Sequence, residues 1–434
     1  MEMRDGRLTE KALAQQDAAA TAVDHYRDDY IQLLGDLVRC PTLLGAERPA
    51  QDILYRHLQV MGLEAERWDL DPEDLSSHST FAPVDWGYQE RPNVRGTLKP
   101  AGRAGRSLVL NGHVDVVSPE PVDWWSYDPW GATITDGRMY GRGSMDMKAG
   151  LAAALLAIQA VMDTGVELRG PVIFESVIEE ECTGNGMLAS RIRSGKVDGA
   201  VITEPTGLQA WTATPGVLWF EVTVRGKPAY VGKAGQYVNA IETATSLIAR
   251  LKPAAVEALN AAFDHPSFAG YKNPLTLSVG KIQGGDWPSN VPLECRFTCR
   301  MSFPIGWSFD QARSFVETHL ERASSSDPWL VEQPPTLRFP GFRALGWALD
   351  SEAGDGSLIH SLSEAHQTVR GRSLKQEVFP GTADARYFSA QKGEQAVYYG
   401  PSGANLHAPD EYVELESLVE TARVLARMII VWCG

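Results

Sequence analysis

Several apolar runs in this chain end on side chains that bind cations or move protons. SLVLNGHVDVV at 107–117 reads as a buried strand closing on His113 and Asp115. Residues two apart on a strand share a face, so an imidazole and a carboxylate emerge together from its end, a metal-ligand pairing. GPVIFESVI at 170–178 is a second buried strand, and it runs directly into Glu179, Glu180 and Glu181. Three carboxylates at one strand end repel one another unless a cation or protons intervene. A solvated acidic turn would account for two glutamates more readily than for three. VDGAVITEPTG at 197–207 repeats the pattern, ending on Glu204 before a proline turn, and AVYYGPSGANLHAPDEYV at 396–413 is strand, glycine turn, then His407. A lone loop histidine is ordinarily a surface residue. This chain has nine histidines, and His113 and His407 are the two placed directly after strand-to-turn segments. Asp146 sits in the glycine-rich turn GRGSMDMKAG at 141–150, immediately before the helical run LAAALLAIQAVM.

These positions are where open α/β sheets place their chemistry, at strand ends. The elements that must hold them follow in order. Residues 8–38 and 45–63 have the apolar spacing of helices, LEAERWDL and RPNVRGTLK read as strands, and helices are predicted at 150–162 and 415–430. The segment Ser118 to Arg138, with Trp124, Trp125, Tyr127 and Trp130, reads as an aromatic loop packed over the core, one ring of which would line a pocket mouth. From Gly216 to Gly346 the order is strand, helix, strand, strand, helix, strand, the ferredoxin-like split unit. The prediction is an α/β protein. Residues 1–215 and 347–434 form a discontinuous domain with a doubly wound, mostly parallel sheet that carries the candidate chemistry, and residues 216–346 an inserted ferredoxin-like α+β domain.

At 434 residues the chain is long enough for two domains, and 44% hydrophobic content supplies both cores. A net charge of −15 argues against nucleic acid, whose binders cluster Lys and Arg. The opening residues carry charges throughout, without an apolar h-region, and no apolar stretch of about 18 uncharged residues follows. A soluble, cytoplasmic protein with no membrane partner is expected. Five scattered cysteines (Cys40, Cys182, Cys295, Cys299, Cys433) lack CxxC spacing and predict reduced thiols.

The motifs HVD (113–115), GRGSMDMKAG (141–150), EEE with Gly186 beyond, TEPT (203–206), GGDWPSNVP (284–292), GTADAR (381–386) and HAPDEY (407–412) together resemble a known family. It is the group of acetylornithine deacetylases, succinyl-diaminopimelate desuccinylases, aminoacylases and glutamate carboxypeptidases, co-catalytic zinc hydrolases. The resemblance spans residues 30–430. It implies that His113, Asp146 and Glu204 hold one divalent ion and Asp146, Glu181 and His407 another, with Asp146 bridging. Asp115 would orient the His113 ring and Glu180 would be the general base. The choice of Glu180 rests on register, because the metal-binding Glu of the family lies five residues before a glycine, as Glu181 does before Gly186; a slip of one would make Glu179 the base.

Mixed imidazole and carboxylate ligands suit Zn²⁺, and Mn²⁺ or Co²⁺ also fit oxygen-rich sites. Two ions about 3.5–4 Å apart lower the pKa of a shared water toward 7 and polarise a scissile carbonyl. Glu180 would pass the water proton to the leaving nitrogen. Arg386, Asn290 and Arg300 are candidates to grip a carboxylated small-molecule substrate. The family also implies a homodimer through the inserted domain. One departure stands out. Where the family carries a lid histidine that donates to the developing oxyanion, this chain has Tyr230 in GKPAYVGKAG. A hydroxyl can donate there, but it is not a cation near neutral pH. The expected activity is metal-dependent C–N hydrolysis that deacylates an N-acyl amino acid or related carboxylated amine. The alternatives are an aminobenzoate-type aminohydrolase on the same scaffold, and a metal-binding protein without hydrolytic activity.

Overall fold

Four strands that are apolar on both faces lie parallel at the centre of the larger sheet, in the order Gln395–Tyr398, Gly199–Ile202, Leu108–His113, Val172–Val177. Burial on both faces is what such continuous apolar runs require, and helices supply it. The computed structural model describes residues 3–4, 7–8, 10–100, 102, 105–228, 237–349, 354, 356–388 and 393–434. Outside the parallel core the sheet turns antiparallel. Pro92–Leu98 and Glu64–Asp69 extend one side, Ala210–Thr214 and Trp347–Ala348 the other, and Gln376–Val378 lies parallel to Ala210–Thr214. Pro92–Leu98 pairs antiparallel with Glu64–Asp69 across a connection that carries the short helix Pro72–Ser76.

The strand Leu108–His113 is the switch point. The chain leaves it through helix Ala149–Asp163 to Val172–Val177 on one side, then through Asn185–Ser194 to Gly199–Ile202 on the other. Right-handed crossovers in opposite directions put those two helices on opposite faces and open a crevice at the carboxyl ends of the strands. Helices Glu10–Val38, Ala149–Asp163 and Leu415–Cys433 pack on one another over one face. The stretch Ser144–Asp163 is long and apolar enough to cross a membrane, but 89% of its most apolar 18 residues are buried inside the protein. It is the central core helix.

The segment 216–346 builds a second sheet with its own core. Its order is Leu277–Gly284, Glu294–Phe303, Gly216–Arg225, Thr336–Arg338, all antiparallel. This is the ferredoxin-like order. Alternate residues Leu218, Phe220, Val222 and Val224 face helices Ala240–Ala261 and Phe309–Ser324, while Val217 and Trp219 face the other way. Both helices start where sequence signals place them. Asn239 accepts from the Ile241 and Glu242 N–H groups, and Ser308 with Gln311 forms a capping box. A third, small sheet had no clear signal, because its strands are two or three residues long: Gly403–Ala404, Tyr412–Glu414, Arg138–Tyr140 and Thr133–Thr135. It joins the aromatic loop to the segment that carries His407, with Tyr127 stacked on Tyr140 at 4.3 Å.

Candidate metal centre

Five side chains from distant parts of the chain converge at the crevice. Ligand atoms of His113, Asp146 and Glu204 lie within 4.8 Å of one another, as do those of Asp146, Glu181 and His407. Asp146 belongs to both groups: its Oδ1 is 3.2 Å from His113 Nε2 and its Oδ2 is 3.2 Å from His407 Nε2. His113 Nε2 is 4.0 Å from Glu204 Oε2, and His407 Nε2 is 3.1 Å from Glu181 Oε1. His113 and Glu204 come from strand ends, Asp146 from the turn before the core helix, and His407 from a loop where its φ is +56°.

The backbone and buried polar groups aim these side chains. His113 Nδ1 is 2.9 Å from the Asp115 carbonyl, so its other nitrogen faces the carboxylates. The Asp115 carboxylate stands 3.7 Å from the same ring and accepts from the Glu180 and Glu181 N–H groups at 3.2 and 3.1 Å. One residue thus fixes both the imidazole and the acidic turn. The three glutamates divide. Glu179, with φ +62° and no exposure, turns away to accept from Trp86 Nε1 (2.7 Å), Tyr88 OH (3.1 Å) and Thr183 Oγ1 (2.7 Å) and to pair with Arg91 (2.7 Å). Glu180 and Glu181 face the crevice. Gly186 is needed by the close approach of helix Asn185–Ser194, because a Cβ there would lie 1.9 Å from the Ile178 carbonyl oxygen.

Two carboxylates near the site escaped notice in the sequence. Glu411 is fully buried beneath Asp146, and Asp384 is buried beside Arg386, whose Nη2 is 3.4 Å from its Oδ1. Both lie inside motifs already quoted, HAPDEY and GTADAR, and their acidity was the available signal.

The electrostatics fit a divalent cation. Burial, followed by the charge of Asp384, pushes Glu180 well above the usual carboxylate range, and burial does the same to Glu204 against the pull of His113. Burial would lower His407, yet hydrogen bonds to Asp146 and Glu181 drive it up to about 11. The carboxylates therefore draw positive charge onto the imidazoles. A mixed imidazole and carboxylate set of this kind, with Asp146, Glu204 and His113 almost without exposure, is what a bound divalent ion neutralises.

Peptidase family M20/M25/M40 matches residues 109–430. The chain belongs to this family. It is a metal-dependent hydrolase of amide C–N bonds. Over 433 residues the chain is 27% identical to an N-formyl-4-amino-5-aminomethyl-2-methylpyrimidine deformylase of Bacillus subtilis, covering 95% of this chain and 96% of that one. It is 26% identical to a succinyl-diaminopimelate desuccinylase of Methylobacterium radiotolerans, over 94% of this chain and 97% of the relative. Its fold is similar to that of the di-peptidase Dug1p from Saccharomyces cerevisiae, with a TM-score of 0.80 at 13% identity over 96% and 98% of the two chains.

Within this M20 architecture the other candidates are placed differently. Arg386 is buried, donates to the Ala383 carbonyl at 2.7 Å and lies 3.9 Å from Glu180 Oε1. Arg300 is half-buried on Glu294–Phe303, 3.4 Å from Ser302 Oγ; burial lowers its pKa, while the charge of Glu180 raises it. Asn290 is exposed and donates to the Asp286 carboxylate in its own loop, at 3.2 Å. Tyr230 lies outside the described residues.

Proposed function

We propose that this chain removes an acyl group from the nitrogen of a carboxylated small molecule. The observation that carries the proposal is a pair of ligand groups sharing Asp146, with Glu180 Oε1 beside them, buried and without a hydrogen-bond donor among the described residues. His113, Asp146 and Glu204 would hold one ion, and Asp146, Glu181 and His407 the other, with Zn²⁺ the best match and Mn²⁺ or Co²⁺ acceptable. When bound, such a pair supplies Lewis acidity toward the scissile carbonyl and acidifies water. The chain's own residues do the rest. Glu180 accepts a proton from water and delivers it to the leaving nitrogen. Asp115 holds the Glu180 backbone and the His113 ring in place. Tyr230, supplied by the inserted layer, donates to the oxyanion. Such a donor contributes about a hundredfold to a thousandfold in kcat; a Tyr230→Phe enzyme at wild-type rate would remove that assignment.

Arg300, Asn290 and Arg386 are the proposed carboxylate contacts. Arg386 has the smallest share, since Asp384 already occupies it. The proposed division is residues 1–215 with 347–434 as catalytic domain and 216–346 as lid, dimerising through the lid. A monomer by light scattering would remove the dimer. A reduced, cytoplasmic setting is proposed from five free cysteines, to be checked by fractionation.

The deformylase and desuccinylase names of the two relatives support acyl removal. Purified enzyme offered N-formyl, N-acetyl and N-succinyl amino acids beside aminobenzoates decides between deacylation and aromatic amine hydrolysis. Deacylation that disappears with a chelator and returns with Zn²⁺ is expected. Turnover confined to the aminobenzoates would overturn the proposal in favour of the aminohydrolase.

A further inference from the structure

Asp146 and His407 reach the same point from segments far apart in the chain, and neither stands on a strand of the central sheet. What sets one against the other is a buried ion pair. Glu411, four residues after His407, is fully buried, and Arg142, four before Asp146, is 2% exposed. Arg142 Nη1 donates to Glu411 Oε2 at 2.5 Å, and the Gly143 N–H donates to the same oxygen at 3.0 Å. The Met145 and Asp146 N–H groups donate to Oε1 at 2.9 and 3.0 Å. Gly143 has φ +79°, which folds these N–H groups into a concave nest around the carboxylate. The backbone on both sides is tied as well. The Glu411 carbonyl accepts from the Gly141 N–H at 2.9 Å, and Arg142 Nη2 donates to the Ala408 and Ser118 carbonyls at 3.4 and 3.5 Å.

We infer that the Arg142–Glu411 pair is a positioning device for the group formed by Asp146, Glu181 and His407. The inference rests on reading those residues as metal ligands. A buried ion pair is a weak source of net stability, because desolvation offsets its attraction; fixing a geometry is the role left to it. The other group is less dependent on the pair, since His113 and Glu204 are held by strand ends. The pair therefore acts unequally on the two ions. Glu411→Gln keeps the shape but replaces one acceptor oxygen with an NH₂ that faces the donors of the nest. Arg142→Lys keeps the charge but, as a compact ammonium, does not span Glu411 and two carbonyls at once.

The test is Co²⁺ titration of the metal-free full-length protein, followed by its visible absorption bands and by calorimetry, with circular dichroism to confirm folding. Wild type taking up two equivalents checks the ligand reading; fewer than two breaks that reading, independently of the variants. In Glu411→Gln the equivalent held with His113 and Glu204 is expected to be weakened the less, through the shared Asp146, and the other by about tenfold to a hundredfold, the usual effect of removing an outer partner. Arg142→Lys should shift the same step, and it is the readout if Glu411→Gln does not fold. Two equivalents at wild-type affinity in a folded variant, or equal weakening of both, would overturn the inference. Unfolding of both variants would overturn it too, because the pair would then hold the fold and not the ligands.

Discussion

His113 and His407 offer the same ring nitrogen to the same aspartate from opposite surroundings. The His113 side chain is 1% exposed at the end of a central strand, and that of His407 is 47% exposed in a loop. The first is aimed by the sheet itself, through a carbonyl two residues on. The second depends on contacts its own loop has to make. Support from a buried strand end implies a rigid inner half, and support from a half-exposed loop a more adjustable outer half open to solvent.

The shared carboxylate should give the largest effect, because it belongs to both halves. Asp146→Ala is expected to release both ions and to lower kcat/KM on the order of a thousandfold or more, the several kcal/mol of charge stabilisation that a metal centre supplies. Metal analysis by mass spectrometry checks it; two ions retained per chain would mean the halves do not meet at Asp146. Glu180→Gln comes next. It lies beside both halves without being counted as a ligand, so the expected loss is about a hundredfold to ten-thousandfold in kcat with metal content unchanged. Wild-type turnover in that variant places the base elsewhere.

The contrast between the halves is then tested directly. His407→Ala should lose the outer ion to a mild chelator while the inner one stays and the thermal midpoint in the metal-free state holds within a degree or two. His113→Ala should weaken the inner ion and also lower that midpoint, because it leaves a cavity and unpaired carboxylates in the core, about 1–3 kcal/mol. Equal behaviour of the two variants would erase the distinction between a rigid and an adjustable half.

The same distinction governed what was legible in the sequence. The strand-borne candidates were legible, since His113, Glu204 and the glutamate triplet each follow an apolar run whose length and burial fix the strand end, and the structure brings His113, Glu204 and Glu181 into the two groups around Asp146. The ferredoxin-like order of 216–346 was legible for the same reason, with its alternating apolar residues and capped helices. The roles of the three glutamates were not separable by pattern, because what turns Glu179 away is Arg91 and Trp86, both more than eighty residues earlier. Glu411 was missed for a like cause: its partners are the Arg142 side chain and backbone N–H groups of a turn more than 260 residues earlier, so its acidity alone did not show what it holds. On the flanks of the larger sheet Glu64–Asp69 and Pro92–Leu98 were legible as strands, whereas Trp347–Ala348 and Gln376–Val378 were not, because strands of two or three residues carry no period.

A third histidine isolates what carboxylates do to an imidazole. His366 on helix Leu358–Arg370 is as buried as His113, at 1% exposure, but its ring meets the Tyr399 hydroxyl at 2.9 Å and carries no ion pair to an acid among the described residues. Burial, reinforced by the charges of Arg370 and Arg372, pushes it down to about 4, whereas carboxylates raise His113 and His407. The sign follows from where protons bind. Below the unfolded value of about 6.5 the unfolded chain takes up a proton that the folded chain refuses, so stability is intact above that pH and lost as pH falls toward 4. Between pH 8 and pH 5 this group alone should remove about 1–2 kcal/mol from the unfolding free energy. His366→Gln, which keeps a partner for Tyr399, should lose that much less over the same interval in urea denaturation, while the acid response shared with every carboxylate cancels in the difference. Identical pH dependence in the two proteins would mean that burial and the neighbouring arginines do not set the charge of His366, and that its contrast with His113 and His407 needs another cause than the acids around those two rings.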